Sequence, residues 1–261
     1  MNVFDRLAPF IQDFISQNKW EELHGTQVAA CEVIFDSGDN LLLSSGTASG
    51  KTEAAFLPIL TELYEHPSAS VGVMYISPLK ALINDQFKRL DLLLEGSNIP
   101  VTKWHGDASE TGKSKLIKHP EGVIQITPES LESLLTNKRG ACMSMFSDLR
   151  FVIIDEVHSF MRDVRGLQLL CVLERLKKLT GVNPRRVGLS ATLGDVSLAK
   201  NWLNTGTGRS CAAPLFDEGK KRVRLHIERF VNYADKKDFV ERNGSMNVVN
   251  DSSGGDIGDR E

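Results

Sequence analysis

The sequence has 261 residues, of which 41% are hydrophobic and 25% are charged, and its formal net charge is −3 at pH 7. These values indicate an ordinary soluble globular protein with one large domain or two small ones. The negative total excludes a chain that binds nucleic acid through overall basicity, so any such binding would need a local basic patch.

The cysteines lie far apart in the sequence and include no Cys-x-x-Cys pair, which argues against a zinc site and against a disulfide framework. They are Cys31, Cys142, Cys171 and Cys211. The N-terminus lacks the long apolar core of a signal peptide, and no apolar run is long enough to span a membrane. We therefore expect a cytoplasmic protein with no membrane partner.

The N-terminal region, residues 1–38, is expected to form two helices. Apolar residues recur at helical spacing over 4–17, and a second helix is expected over about 26–35 with Thr26 as its cap. The tripeptide Ser37-Gly38-Asp39 then predicts a turn.

Apolar strands alternate with amphipathic helices through residues 39–209. This alternation predicts an α/β domain, in which a parallel sheet carries helices on both faces. Strands are expected at 40–44, 71–76, 101–104, 122–126, 151–154 and 186–189, and helices at 51–65, 79–94, 109–118, 128–136, 166–180 and 196–203.

The character of the chain changes from about Ser210. Within 210–237, the run Val223-Arg224-Leu225-His226-Ile227 alternates like a half-exposed strand, which predicts a sheet edge. Residues 238–261 are rich in Asn, Ser, Gly and Asp and read as a flexible tail or linker. A linker with nothing after it suggests a fragment of a longer protein.

A loop of small residues joins the first predicted strand to the helix at 51–65, with the sequence Ser44-Ser45-Gly46-Thr47-Ala48-Ser49-Gly50-Lys51-Thr52. A strand, such a loop and a helix form the context of a phosphate-binding loop, because backbone N–H groups and the helix N-terminus face one anion. Lys51 would add a positive charge, and the Thr52 hydroxyl could ligate Mg2+. Ser45 stands where the strict motif has glycine. The alternative is a chance Gly-Lys-Thr, which the flanking strand and helix disfavour.

A second motif follows the apolar strand at 151–154, where Asp155 and Glu156 come directly after four apolar residues. In an open parallel sheet, ligands bind at the carboxyl ends of the strands, so this acidic pair should meet the phosphate loop. Asp155 would hold Mg2+, and Glu156 would orient or deprotonate a water molecule. The alternative is an acidic loop without function.

These motifs resemble, in sequence order, those of superfamily 2 helicases of the DEAD/DEAH-box type. Asp155-Glu156-Val157-His158 is similar to motif II, Ser190-Ala191-Thr192 to motif III, and the phosphate loop to motif I, whose first position is often not glycine. Three further matches are Ser77-Pro78-Leu79-Lys80-Ala81-Leu82 to motif Ia of the Lhr-type and Ski2-type branches, Thr127-Pro128-Glu129-Ser130-Leu131 to motif Ib, and His105-Gly106-Asp107 to a short motif between them. The resemblance spans about residues 20–205 and implies a RecA-like P-loop NTPase domain.

The resemblance also implies roles at the ATP site. Gln27 matches the adenine-reading glutamine, although a solvated helix residue is an equally good interpretation. Lys51, Asp155 and Glu156 would be catalytic, with Thr52 and Asp155 as Mg2+ ligands. The implied ATP-binding residues are Gln27, Ser45, Gly46, Thr47, Ala48, Ser49, Gly50, Lys51 and Thr52.

A second implied set would contact nucleic acid, and a third would link it to the ATP site. The nucleic-acid set is Pro78, Lys80, His105, Gly106, Thr127, Pro128 and Glu129, and the linking set is His158, Ser190 and Thr192. Lys80 could equally be a solvent-facing lysine. Other basic residues, including Lys113 and Arg165, are expected on solvated faces, and Trp104 and Trp202 in the core.

The implied function is that of the ATP-binding domain of an ATP-dependent DNA or RNA helicase, with ATP and Mg2+ as cofactors. Such enzymes sandwich ATP between two RecA-like domains, and no second motif set follows Thr192. We therefore expect a second domain in a parent chain as partner and a nearly inactive fragment. A nucleotide-gated binding module without helicase activity and a small-molecule kinase are the alternatives.

Overall fold

The computed structural model describes residues 2–46, 50–191 and 193–214. A short 3-10 turn, Phe4–Arg6, comes first. The helices are α1 Pro9–Gln17, α2 Gly25–Asp36, α3 Lys51–Glu65, α4 Lys80–Leu93, α5 Glu110–Lys118, α6 Pro128–Asn137, α7 Arg139–Met145, α8 Val157–Phe160, α9 Val164–Thr180 and α10 Val196–Asn204. The strands are β1 Asn40–Ser44, β2 Val73–Ile76, β3 Val101–Trp104, β4 Val123–Ile126, β5 Phe151–Ile154, β6 Arg185–Ser190 and β7 Cys211–Ala212.

Within these residues the strands form one parallel sheet in the order β3-β4-β2-β5-β6-β1-β7. The register aligns the carboxyl ends of neighbouring strands, since Ser44 pairs with Ser190 and Ile76 pairs with both Ile126 and Ile154. The loops that follow these strands therefore open along one edge of the sheet. The predicted parallel α/β sheet is confirmed.

Successive residues of the central strands β1, β2 and β5 enter two separate cores. In β1, Leu41 and Leu43 pack with helices α1 to α4 on one face, and Leu42 packs with α5 to α10 on the other. This is the period-two alternation of a pleated strand in a sheet buried on both sides. Trp104 and Trp202 both lie in the second core, as predicted.

The N-terminal helices differ from the prediction in two details. The single helix expected over 4–17 is broken, because Ala8 precedes Pro9 and takes an extended conformation, with φ −57° and ψ 146°. The cap of α2 is His24 and not Thr26, which is the second residue of the helix and is buried. Proline rules thus explain the first difference.

Several short elements were not predicted: α7, α8 and β7 are each seven residues or fewer. Strand β7 pairs with β1 and forms one described edge of the sheet. The strand predicted at 223–227 and the linker predicted at 238–261 lie outside the described residues, as do Thr47, Ala48, Ser49 and Thr192. Among the residues that are described, no helix is both long and apolar enough to cross a membrane.

Candidate nucleotide site and nucleic-acid surface

The strand order divides the candidate residues into two groups along the carboxyl edge of the sheet. Strands β5, β6 and β1 lead into Asp155, Ser190 and the loop before Lys51, whereas β3, β4 and β2 lead into His105, Thr127 and Pro78. The candidate ATP residues therefore lie on one half of the edge and the candidate nucleic-acid residues on the other. Strands β2 and β5 are hydrogen-bonded neighbours and form the boundary between the halves.

The phosphate-loop candidate ends at Gly50, which caps α3 in a left-handed conformation with φ +71°. Only glycine adopts this conformation without a steric penalty. The next residue, Lys51, directs its ammonium to the carbonyl oxygens of Ser45 at 2.8 Å and Gly46 at 2.7 Å. The cation and the positive end of α3 thus lie over the same loop, an arrangement suited to an anion.

Gln27 is buried against this loop, so the interpretation as a solvated residue is wrong. It is 1% exposed, and its Oε1 accepts a hydrogen bond from the His24 backbone N–H at 2.9 Å. The Nε2 atom lies 3.3 Å from the position that a Cβ at Gly50 would take. Gln27 therefore caps its own helix with one end of its amide and borders the phosphate loop with the other.

The Asp155 carboxylate is held from two sides. Its Oδ2 accepts a hydrogen bond from the Tyr75 hydroxyl, and its Oδ1 accepts one from the Glu156 backbone N–H at 2.9 Å. Burial raises the pKa of Asp155, and the hydrogen bond from Tyr75, the Glu156 N–H and the nearby Lys51 charge oppose that rise. Lys51 and Asp155 therefore interact, although 104 positions separate them in the sequence.

The same residues suit a divalent cation. A carboxylate offers about four acceptor positions, and two donors leave Asp155 with further lone pairs. Thr52 adds a hydroxyl at the second position of α3. Hard oxygen ligands of this kind are those that Mg2+ prefers, so the donor chemistry at these two positions fits Mg2+.

Glu156 has a left-handed backbone, with φ +52° and ψ +47°, which is uncommon for a residue other than glycine. Strained residues of this kind concentrate at functional sites. The Glu156 side chain is partly exposed, and its Oε2 lies 3.2 Å from His158 Nδ1. That nitrogen also lies 3.1 Å from the Ser190 hydroxyl, so His158 connects the acidic pair to the end of β6.

Ser44 is a further connection that sequence reasoning missed. Its hydroxyl donates to the Ala191 carbonyl and accepts from the Leu193 N–H, both at 3.2 Å. It therefore fastens the phosphate loop to the segment on either side of Thr192. The available signal was a hydroxyl residue directly after the apolar run of the first strand, and the structure pairs it in register with Ser190.

The candidate nucleic-acid residues surround one cavity of about 540 Å³. Pro128 is the exception, since it is buried at the start of α6. Thr127 caps that helix by accepting from the Ser130 N–H at 3.3 Å, so one backbone donor there is already satisfied. The lining residues are Pro78, Leu79, Lys80, Trp104, His105, Gly106, Lys113, Thr127, Glu129, Ser130, Ser133 and Arg165.

Arg165 contradicts the prediction of a solvated face. Its guanidinium forms an ion pair with Glu129 and donates to the Pro78 carbonyl at 2.8 Å. It thereby joins the segments after β2 and β4 to α9 across the cavity. Glu129, a candidate nucleic-acid ligand, instead lowers the free positive charge of this surface.

The two lysines of the cavity are also paired. Lys80 contacts Asp107 at 3.0 Å, and Lys113, which is largely buried, contacts Glu110 at 2.7 Å. Lys80 is nevertheless exposed to solvent, as the alternative interpretation expects, and its partner Asp107 is exposed as well. All three cations that line the cavity face a carboxylate.

His105 lies at the floor of the cavity and is 3% exposed. Within the described residues, neither ring nitrogen has a hydrogen-bond partner. Burial lowers the pKa of His105 below 6.5, and Asp107 opposes that shift. A neutral imidazole whose donor and acceptor are both buried and unsatisfied therefore borders the cavity.

Comparison with known proteins places this geometry in a family. The DEAD/DEAH box helicase model matches residues 25–199. The ATP-dependent helicase Lhr-Core of Methanothermobacter thermautotrophicus is 37% identical over 193 residues, which are 67% of this chain and 22% of that protein. The chain thus spans about a fifth of the length of that relative.

Solved structures agree with this assignment. The helicase Lhr of Mycobacterium smegmatis, bound to ssDNA and AMP-PNP, superposes with a TM-score of 0.73 and 30% identity, over 82% of this chain and 28% of that one. The DUF1998 helicase MrfA bound to DNA gives 0.70 and 27%, over 80% and 29%. These similarities confirm the RecA-like fold and the Lhr-type resemblance.

Proposed function

The chain belongs to the DEAD/DEAH box helicase family, and we propose that it is the ATP-binding domain of an ATP-dependent DNA or RNA helicase or translocase. One observation carries the proposal. The candidate ATP residues and the candidate nucleic-acid residues occupy adjacent halves of a single sheet edge, which meet where β5 pairs with β2. An enzyme that moves on nucleic acid at the expense of ATP needs two such sites in contact.

On the ATP half, Lys51 and the N-terminus of α3 would bind the terminal phosphates, and Gln27 would border the adenine end. Thr52 and Asp155 would hold Mg2+, which when bound neutralises charge that develops on the phosphate oxygens. The Glu156 carboxylate would accept a proton from the attacking water. Its contact with His158 at 3.2 Å would orient it for that task.

On the other half, the cavity between β2, β3 and β4 would bind a single strand. Its cations can meet phosphates, and its backbone donors at the start of α6 can do the same. The Lhr and MrfA structures with ssDNA and DNA support a nucleic-acid ligand by similarity. The contact between His158 and Ser190 would transmit the state of the ATP half to the neighbouring strand.

We propose that a second RecA-like domain of the parent protein completes the ATP site and supplies an arginine finger. Such a finger is worth roughly 10³–10⁵ in rate. The 261-residue chain alone should therefore bind nucleotide weakly and hydrolyse it very slowly.

The test is Glu156→Gln in the full-length parent, with Glu95→Gln as the matched control on an exposed loop. ATP hydrolysis in the presence of a single-stranded oligonucleotide should fall by roughly 10²–10⁴ in Glu156→Gln, with ATP affinity retained. The control should keep the parent rate.

Two outcomes would contradict the proposal. An unchanged rate in Glu156→Gln favours a nucleotide-gated binding module, since a binder needs no water-activating carboxylate. An ATP hydrolysis rate that is the same with and without oligonucleotide favours a small-molecule kinase.

A further inference from the structure

Tyr75 is an unusual residue at the boundary between the two halves of the site. It lies in β2, is fully buried and packs against Phe56 of α3 with the ring centroids 5.8 Å apart. Its hydroxyl donates to Asp155 Oδ2 across the β2–β5 boundary. A hydroxyl so deeply buried is costly unless it is hydrogen-bonded, so this one has a defined partner and a defined direction.

The hydrogen bond determines the orientation of the Asp155 carboxylate. The final torsion of an aspartate is broad and nearly two-fold, so a carboxylate with one partner can rotate. Asp155 has two donors on different oxygens: the Glu156 N–H at 2.9 Å on Oδ1 and the Tyr75 hydroxyl on Oδ2. Without the Tyr75 hydroxyl, Asp155 would lose the hydrogen bond on Oδ2 and keep the one from the neighbouring backbone group on Oδ1.

The position of Tyr75 also connects this carboxylate to the other half of the edge. Tyr75 pairs in register with Ile153, and the Asp155 N–H donates to the Ile76 carbonyl at 2.9 Å. Ser77, two residues after Tyr75, begins the segment that leads to Lys80 and the cavity. The strand that carries the hydroxyl therefore continues directly into the candidate nucleic-acid surface.

We propose that Tyr75 is a positioning residue, which holds the Asp155 carboxylate in the orientation required for the metal ion and ties that orientation to the strand leading into the nucleic-acid surface. The inference rests on the proposed role of Asp155 as a Mg2+ ligand. Tyr75 itself touches neither nucleotide nor metal in this assignment.

The experiment compares Tyr75→Phe with Tyr64→Phe in the 261-residue chain. Tyr64 lies near the end of α3, is 43% exposed and packs against Phe10 with the rings tilted by 53°, so its substitution removes a hydroxyl that does not contact Asp155. The probe is a fluorescent ATP analogue, titrated once with excess Mg2+ and once with EDTA. The Kd in EDTA divided by the Kd in Mg2+ measures the contribution of the metal to nucleotide affinity.

Tyr75→Phe should reduce this ratio roughly ten-fold, the usual scale of a hydrogen bond to a charged group. The affinity in EDTA should stay within two-fold of the parent, and Tyr64→Phe should change neither value. An equal loss of affinity with and without Mg2+ would mean that Tyr75 is only structural and would overturn the inference. So would an unchanged ratio.

Asp155→Asn separates the inference from the proposed function. If Asp155→Asn abolishes the Mg2+ effect and Tyr75→Phe leaves it intact, the inference fails and the metal site stands. If Asp155→Asn also leaves it intact, the proposed metal site itself is wrong.

A second measurement does not depend on the folding of Tyr75→Phe. The chain has three tyrosines, so 3-fluorotyrosine incorporation gives three 19F resonances, and Tyr64→Phe and Tyr233→Phe assign two of them. Mg2+ added to the nucleotide-bound chain should shift the Tyr75 resonance and leave that of Tyr64 in place. A Tyr75 resonance that does not respond to Mg2+ would overturn the inference.

Discussion

Gly50 offers a direct test of the phosphate-loop geometry, because its backbone and its neighbour can be probed by one substitution. In Gly50→Ala, the left-handed conformation at φ +71° would cost roughly 1–2 kcal/mol. Alanine also lowers the conformational entropy of the unfolded chain, which offsets about 0.4–1 kcal/mol of this cost. The added methyl would also lie 3.3 Å from Gln27 Nε2, and displacing that amide weakens a hydrogen bond worth about 1 kcal/mol.

Gly181→Ala is the matched control. Gly181 ends α9 with φ +74°, and no described atom lies within 4 Å of its hypothetical Cβ. The control should thus lose about 1 kcal/mol of unfolding free energy and Gly50→Ala about 2 kcal/mol. For a domain of this size, each kcal/mol lowers the Tm by roughly 2–4 °C, a shift that thermal unfolding followed by circular dichroism resolves.

Nucleotide affinity separates the two variants further. If Gly50→Ala leaves only about a tenth of the molecules with a binding-competent loop, the apparent Kd rises about ten-fold. Gly181→Ala should leave the Kd for the fluorescent ATP analogue unchanged. Equal affinities in the two variants, with the stability loss in place, would refute the placement of Gly50 and Gln27 at the nucleotide.

Three further expectations concern the described domain. Gly140 lies in α7, and no described atom lies within 4 Å of its hypothetical Cβ, so Gly140→Ala should raise the unfolding free energy by about 0.5–1 kcal/mol. In Gly166→Ala the Cβ would lie 1.8 Å from the Phe160 carbonyl oxygen, so the unfolding free energy should fall by about 1–3 kcal/mol or more. Urea denaturation measures both changes. Burial lowers the pKa of His105, so the unfolded chain binds protons more readily; stability should fall as the pH drops below 6.5, and His105→Gln should flatten that part of the curve. Cys171 is the exposed thiol, so one of the four cysteines should react rapidly with a thiol reagent in the native chain and all four after denaturation; four slow thiols would contradict its exposure.

The positions of the two candidate phosphate-site motifs were predictable because each motif follows a strand with a clear apolar pattern. Leu41 to Leu43 and Phe151 to Ile154 read as buried strands, and parallel strands bring their carboxyl ends to one edge. Local residue types therefore sufficed to predict that Lys51 and Asp155 would meet. The break before Pro9 was also readable, since a residue that precedes proline avoids the helical conformation.

Residues whose role depends on a distant partner were not predictable. Tyr75 reads as one more apolar position in a core strand, and nothing near it in sequence indicates that its hydroxyl meets Asp155. Arg165 reads as a charge on a helix surface, yet its contacts are Pro78 and Glu129, 87 and 36 positions away. Such pairings follow from the strand order, which periodicity alone does not determine.

The carboxylates that face each cation of the cavity act as built-in counterions. A phosphate that reaches Lys80, Lys113 or Arg165 must compete with the acidic group already there. Binding of a single strand to three unpaired cations would give a slope of about −2 in log K against log salt, from roughly −0.7 for each neutralised phosphate. Here each displaced carboxylate takes up a cation from solution and offsets part of the release. If a single strand binds at this surface, the slope of log K against log salt should therefore be shallower than about −2.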